Sequence, residues 1–281
     1  MKKYFSLIKF SHTIFAMPFA LIGFFLAKTD TLEWEILIYV ILCMVFARSS
    51  AMAYNRYIDR DIDKKNPRTS KIREIPSGLV TPKNALLFVI INSLLFIITT
   101  YFINNLCFLL SPIALIIILG YSLTKRFTYL CHVFLGLSLS LAPIGAFIAA
   151  SGRFDILPML FSISVLFWVS GFDIIYSLQD EEFDKSEKLY SIPVLMGKRK
   201  AMNIARILHT ITFIILLTTG LFYNFKLYYW IGFMLFSLLL LYQHTIIKPN
   251  DLSKINIAFF TTNGIASIIF GIFVIIDILV I

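Results

Sequence analysis

The chain has 281 residues, 59% of them hydrophobic and 15% charged, with a mean hydropathy of +0.85 and a formal net charge of +9. A soluble domain of this size is about half apolar and a quarter charged. This composition therefore excludes an ordinary soluble globule and points to a bilayer.

Nine apolar runs follow one another along the chain, at residues 10–27, 36–54, 85–103, 106–122, 131–150, 156–178, 205–223, 227–246 and 256–277. Each is near the ~20 residues that cross a hydrocarbon core as a helix. Backbone groups in lipid must be satisfied within the segment, and the period is not that of a barrel strand. The expected fold is all-α, an integral membrane protein of nine transmembrane helices, with residues 1–281 as one domain. The first run has no convincing small-residue cleavage site and reads as an anchor that stays.

Charge sets the expected orientation. With the N-terminus in the cytoplasm, the N-terminal segment and the loops at 55–84, 123–130, 179–204 and 247–255, with Arg206 at the mouth of the seventh run, hold 21 of the 25 Lys and Arg residues. The opposite side holds Lys28, Arg153 and Lys226, and Arg48 lies inside the second run. This is the positive-inside pattern, with the C-terminus outside. It explains the net charge without nucleic acid.

Two cytoplasmic loops are long, at 55–84 and 179–204, and they stand four spans apart. That spacing hints at two related four-helix halves plus a ninth helix. Each loop opens with acidic residues at helical spacing. In the first, Asn55, Asp59 and Asp63 are at i, i+4 and i+8, on one helix face. In the second, Asp180 and Asp184 are at i, i+4, with Asp173 and Tyr176 one to two turns earlier. Like charges at this spacing repel. One such cluster is readily read as a solvated helix end. Two, beginning at the same membrane edge, suit Mg²⁺, which takes oxygen ligands and bridges to substrate phosphates. Magnesium and nearby bases would offset the charge that develops on a departing diphosphate. Asp173, an acid at span depth, is a functional candidate by position alone.

The remaining chemistry-bearing residues are sparse. Cys43, Cys107 and Cys131 form no CxxC pair and read as small buried hydrophobes. His12, His132, His209 and His244 are scattered, and no HExxH or Walker-type glycine loop occurs. His12 reads as a polar residue at headgroup level.

At the two acidic clusters the sequence resembles the UbiA superfamily of intramembrane prenyltransferases, whose pattern is N-x3-D-x3-D followed by D-x3-D. It is matched here by Asn55, Asp59 and Asp63 and by Asp180 and Asp184. Asp173-x-x-Tyr176 and the segment running from Tyr121 through Lys125 and Arg126 to Tyr129 resemble the branch acting on 4-hydroxybenzoate. The resemblance implies nine helices around a central cavity, with those five residues holding Mg²⁺. It also implies a polyprenyl diphosphate donor, an aromatic acid acceptor and a place in quinone biosynthesis. Arg48 would then hold the acceptor's carboxylate, with an ion pair to Asp173 as its structural alternative. Arg68, Arg73, Lys125 and Arg126 become candidates for the diphosphate. Asp173, Tyr121 and Tyr176 become candidate catalytic groups, the tyrosines lining the pocket where an allylic cation forms. Arg56 and Arg60 are expected on the opposite helix face. Where many members have R-P-L-P-S-G, this chain reads Arg73-Glu74-Ile75-Pro76-Ser77-Gly78. That wording, like the opening Lys9 to Pro18, is similar to a branch in which 1,4-dihydroxy-6-naphthoate is the alternative acceptor. A secondary transporter is the rival of another class, and it would require acids near the midplane of broken helices.

Overall fold

The computed structural model describes residues 2–8, 16–27 and 33–280. His12 and Lys28 lie outside them. The helices, in chain order, are α1 (Lys2–Leu7), α2 (Met17–Leu26), α3 (Trp34–Ile58), α4 (Arg60–Lys65), α5 (Pro82–Ile103), α6 (Asn105–Thr124), α7 (Cys131–Ser151), α8 (Ile156–Ser177), α9 (Glu181–Ser186), α10 (Ile192–Phe222), α11 (Leu227–Ile246) and α12 (Asn263–Val280). A 3₁₀ turn, Leu178–Asp180, joins α8 to α9, and a π-turn, Ile257–Thr262, runs into α12. Among the described residues, eight helices are long and apolar enough to cross a membrane, and α2 is a shorter apolar helix of ten residues. Among the described residues, eight of the nine apolar runs thus correspond to these eight helices and the first to α2; residues 10–15 of that run lie outside the described residues.

Helix ends follow local chemistry. Thr81, Asn104, Asp155 and Ser191 each accept a backbone N–H from the first turn of the helix they precede. Two helices run further than the apolar pattern suggested. α3 continues to Ile58, and α10 begins before the seventh run, so basic residues such as Arg199 are helical too. Polarity marks where lipid ends, not where helical hydrogen bonding ends. Inside α10, Gly197 has φ +75°, ψ 160°, a left-handed turn that only glycine adopts cheaply, and it separates the first turn of α10 from its long membrane-crossing part.

The helices pack largely in chain order, α3 on α5, α5 on α6, α6 on α7, α7 on α8, α8 on α10, α10 on α11 and α11 on α12, with α12 joined through α2 to α7. Lipid gives little hydrophobic reward for helix association, so close packing and buried polar ties carry it. At Gly136 on α7, an added Cβ would come within 2.4 Å of the Leu166 carbonyl oxygen on α8. This close approach packs α7 directly against the middle of α8. Phe19 of α2 packs into an aromatic core with Trp168, Phe236 and Phe270, and Trp168 also donates its indole N–H to Asn263 Oδ1 at 3.2 Å. Asp277 on α12 is fully buried and accepts the backbone N–H groups of Lys226 (2.8 Å) and Tyr229 (3.1 Å). It caps α11 from a neighbouring helix, which accounts for a carboxylate in the last span. Leu87, Ile91, Leu94, Ile98, Ile116, Ile214 and Leu241 point outward as a lipid-facing belt.

Candidate active site

Two cavities meet inside the bundle. The polar one, about 270 Å³, opens among the ends of α3, α6, α7 and α8 and the two acidic loops. The apolar one, about 310 Å³, is lined by side chains such as Val40, Phe96, Leu110, Ile117 and Ala146. They share Arg48, Tyr121, Leu135 and Leu139. A chamber of charges thus continues into a chamber of hydrocarbon.

The first acidic cluster enters on α3. Asp59 is 2% exposed; its Oδ2 faces Lys125 Nζ at 2.6 Å and accepts from Asn55 Nδ2 at 3.2 Å, while Oδ1 accepts from Arg126 at 2.9 Å. The helix breaks at Asp59 (φ −86°, ψ 3°), and Asp63 is carried onto α4. The i, i+8 extrapolation therefore does not bring Asp63 to the cavity wall. It is buried behind, accepting from Arg73 at 2.9 Å, and Arg73 does line the cavity. Burial raises the Asp63 carboxyl above the usual range, against the pull of Arg73.

The second cluster comes off α8. Asp180 and Asp184 both reach the cavity. Arg68 donates to Asp180 through Nε and Nη2, and Asn66 adds a third bond, so the loop after the first cluster is tied to the second. Lys65 and Glu187 form a further link at 2.6 Å. Asp184 has its pKa raised to about 6, first by burial, then by Asp180, with Lys125 opposing.

Asn55, Asp59, Asp180 and Asp184 thus face one space with Arg68, Arg73 and Lys125, while Arg126 and Asp63 stand just outside the lining. Among the described residues, no three Cys, His, Asp or Glu side chains converge tightly enough to hold a metal by themselves. The two acidic clusters present oxygen donors to the cavity, which fits a hard divalent cation that keeps waters and shares a substrate's phosphates, and not a closed structural metal centre.

Deeper in, Arg48 is half-buried with its Nε unpartnered, and no described carboxylate pairs with it. Asp173 instead meets His132, Nδ1 to Oδ2 at 2.7 Å. Tyr176 is bonded by Arg68 at 3.2 Å and packs against Phe259, ring centroids 4.1 Å apart.

Sequence reasoning missed several lining groups. Arg56 is 7% exposed and donates to Asn55 Oδ1, on the cavity and not on the opposite face. Arg60 does lie away, its guanidinium 4.7 Å over the Tyr57 ring. His132, Tyr190 and the π-turn pair Phe259 and Phe260 carry no spacing signal, since they reach the cavity only through tertiary packing.

The model of the UbiA prenyltransferase family matches residues 16–265. The chain belongs to the UbiA prenyltransferase family. As a member it is a multi-pass integral membrane enzyme of the prenyltransferase class. It is 30% identical over 250 residues to a 4-hydroxybenzoate octaprenyltransferase of Aliivibrio fischeri, covering 88% of this chain and 85% of that one. Among solved structures, a UbiA homologue from Aeropyrum pernix K1 in its apo form superposes with a TM-score of 0.86 at 32% identity, covering 95% of this chain and 98% of the other. A UbiA homologue from Archaeoglobus fulgidus, bound to GPP and Mg²⁺, superposes with a TM-score of 0.75 at 22% identity over 98% of this chain and 99% of its own. That last likeness speaks to fold.

Proposed function

We propose that this UbiA-family chain transfers a polyprenyl group from a polyprenyl diphosphate to an aromatic acid of the 4-hydroxybenzoate type, with Mg²⁺, in quinone biosynthesis. The observation that carries it is the junction of the two cavities at Arg48, Tyr121, Leu135 and Leu139. An amphiphile with an anionic head and a long hydrocarbon tail matches that shape, and few other substrates do. The names of the relatives support the same donor and acceptor.

In this reading Asn55, Asp59, Asp180 and Asp184 hold Mg²⁺, with Asp63 keeping Arg73 aimed at the cavity. When bound, Mg²⁺ supplies positive charge to the diphosphate oxygens. Lys125 pairs with Asp59 and Arg68 with Asp180; with Mg²⁺ held there, both would be free to face the diphosphate, together with the Arg73 that Asp63 holds. Arg126 stays on Asp59 and the Ile58 carbonyl and fixes the end of α3. The tail lies in the apolar cavity. The C–O bond of the allylic carbon breaks and its electron pair leaves with the diphosphate. The resulting cation faces Tyr121 and Tyr176, whose π-clouds favour it. An electron pair of the acceptor ring forms the new C–C bond, and loss of one ring proton, taken by Asp173, restores aromaticity. Arg48 holds the acceptor's carboxylate, which answers its unpartnered Nε. The bilayer setting would keep water away from the cation, which would otherwise be captured as an alcohol.

The charge pattern supports an orientation with the N-terminus and both acidic loops in the cytoplasm and the C-terminus outside, and the bacterial relatives support an inner membrane. The test is turnover in membranes with geranyl diphosphate, Mg²⁺ or EDTA, and two acceptors side by side, 4-hydroxybenzoate and 1,4-dihydroxy-6-naphthoate. Mg²⁺-dependent product from the benzoate is expected. Product from the naphthoate alone moves the acceptor and leaves the chemistry. Product from neither, with folded protein, overturns the proposal.

A further inference from the structure

His132 sits one residue into α7, 2% exposed, against the polar cavity. Its ring bridges two elements. On one side, the backbone N–H of Ile192, in the first turn of α10, points at Nε2 at 3.4 Å. On the other, Nδ1 meets Asp173 Oδ2 at 2.7 Å. An N–H aimed at Nε2 assigns that nitrogen as the acceptor, so the ring proton lies on Nδ1 and is donated to the carboxylate. The N–H of Ile192 belongs to a helix start, where backbone donors have no intrahelical partner. It thus fixes the tautomer from outside the cavity.

The surroundings hold this arrangement still. Cys131 Sγ contacts the Tyr190 carbonyl at 3.4 Å, and the Tyr129 and Tyr190 rings meet edge to face with centroids 4.9 Å apart. Lys125 O accepts from Tyr190 N–H at 2.8 Å. One turn along α7, Gly136 lets the α8 backbone approach, which sets Asp173 at the reach of an imidazole. Among the described residues, Asp173 Oδ1 has no protein donor, and the residue lines the cavity half-buried.

We infer that His132 is the positioning residue for Asp173, holding one carboxylate oxygen so that the other faces the aromatic acceptor. The inference rests on the acceptor reading proposed above. In the step concerned, the C–H bonding pair returns to the ring and the proton passes to Asp173; His132 keeps its own Nδ1 proton throughout. An ionised acid with one oxygen pinned has a single productive orientation, and small misplacements of such groups cost up to ~100-fold in rate. The same bridge links the acceptor site to the segment that follows the second acidic cluster.

Two near-isosteric variants separate positioning from mere packing. His132→Asn puts an amide N–H near the position of Nδ1 and keeps the bond to Asp173. His132→Gln puts its amide near Nε2 and loses that bond. The expected result is a fall in kcat/KM for the aromatic acid of ~10–100-fold in H132Q, with most activity retained in H132N. In both variants the KM for geranyl diphosphate and the melting temperature in detergent stay at wild-type values. Asp173→Asn combined with H132Q should be no slower than D173N alone. Wild-type kcat/KM in H132Q, or equal losses in both variants with a lowered melting temperature, overturns the inference while the prenyl-transfer reading stands. A folded wild type that prenylates no aromatic acid overturns both.

Discussion

Arg68 grips Asp180 at two points, Nε to Oδ1 at 3.0 Å and Nη2 to Oδ2 at 2.5 Å, and its remaining nitrogen reaches Tyr176 Oη at 3.2 Å. A loop from one half of the chain thus closes on the acidic cluster of the other. Planar, two-point contacts of this kind are specific to arginine. Charge-assisted hydrogen bonds contribute about 1.5–3 kcal/mol each. Arg68→Lys should therefore lower kcat/KM for the prenyl diphosphate by ~10–100-fold, and Arg68→Gln should lower it at least as much. Steady-state kinetics with the donor varied, at saturating aromatic acid, checks this. Wild-type values in R68Q would mean the grip does not serve the site.

Asp184 supplies the pH dependence. Burial and Asp180 raise its pKa to about 6, so the carboxylate that the proposed function assigns to a divalent ion is largely formed only above that pH. Proton and Mg²⁺ compete for it below. The apparent Mg²⁺ affinity in turnover should fall about tenfold per pH unit below this value and level off above it. Mg²⁺ titrations at pH 5, 6 and 7.5 read this directly. Affinity independent of pH over that range would remove Asp184 from the ion's environment.

Asp277 gives a contrasting prediction. It caps α11 far from the acidic clusters, accepting two backbone N–H groups. Asp277→Leu leaves both donors unsatisfied in a buried setting, a loss of ~2 kcal/mol or more. The melting temperature should drop while the KM for the donor stays unchanged in protein that remains folded. A loss of activity without loss of stability would contradict the capping role.

On the proposed reading, the apolar cavity sets donor length. Ala114 lines it, away from the charged chamber. Ala114→Phe should raise the KM for long polyprenyl diphosphates and spare geranyl diphosphate. A comparison of C10 and C40 donors on the same preparation reads the difference; equal effects on both would put the tail elsewhere.

Much of the fold was legible because lipid imposes a simple rule. A helix must be apolar for its crossing length, and the nine runs show it. The two acidic clusters were legible because Asn55–Asp59 and Asp180–Asp184 are local pairs at one-turn spacing. Asp63 shows where periodicity stops. A break of one residue at Asp59 turns the next acid onto α4 and behind the wall. Arg56 was misread for a related reason, since a wide cavity collects neighbours about 100° apart on one helix. His132 left no trace in the spacing. Its partner Asp173 is 41 residues away, and only the packing of α7 on α8 joins them.

The most direct test is product formation by purified protein from a polyprenyl diphosphate and 4-hydroxybenzoate, followed by mass spectrometry for the wild type, Asp59→Asn and Asp180→Asn. The expected result is prenylated acid from the wild type with Mg²⁺, none with EDTA, and at least ~1000-fold less from either folded variant, as for loss of a group that holds a reacting phosphate. Undiminished product from both variants would contradict the assignment of the two acidic clusters as one diphosphate site.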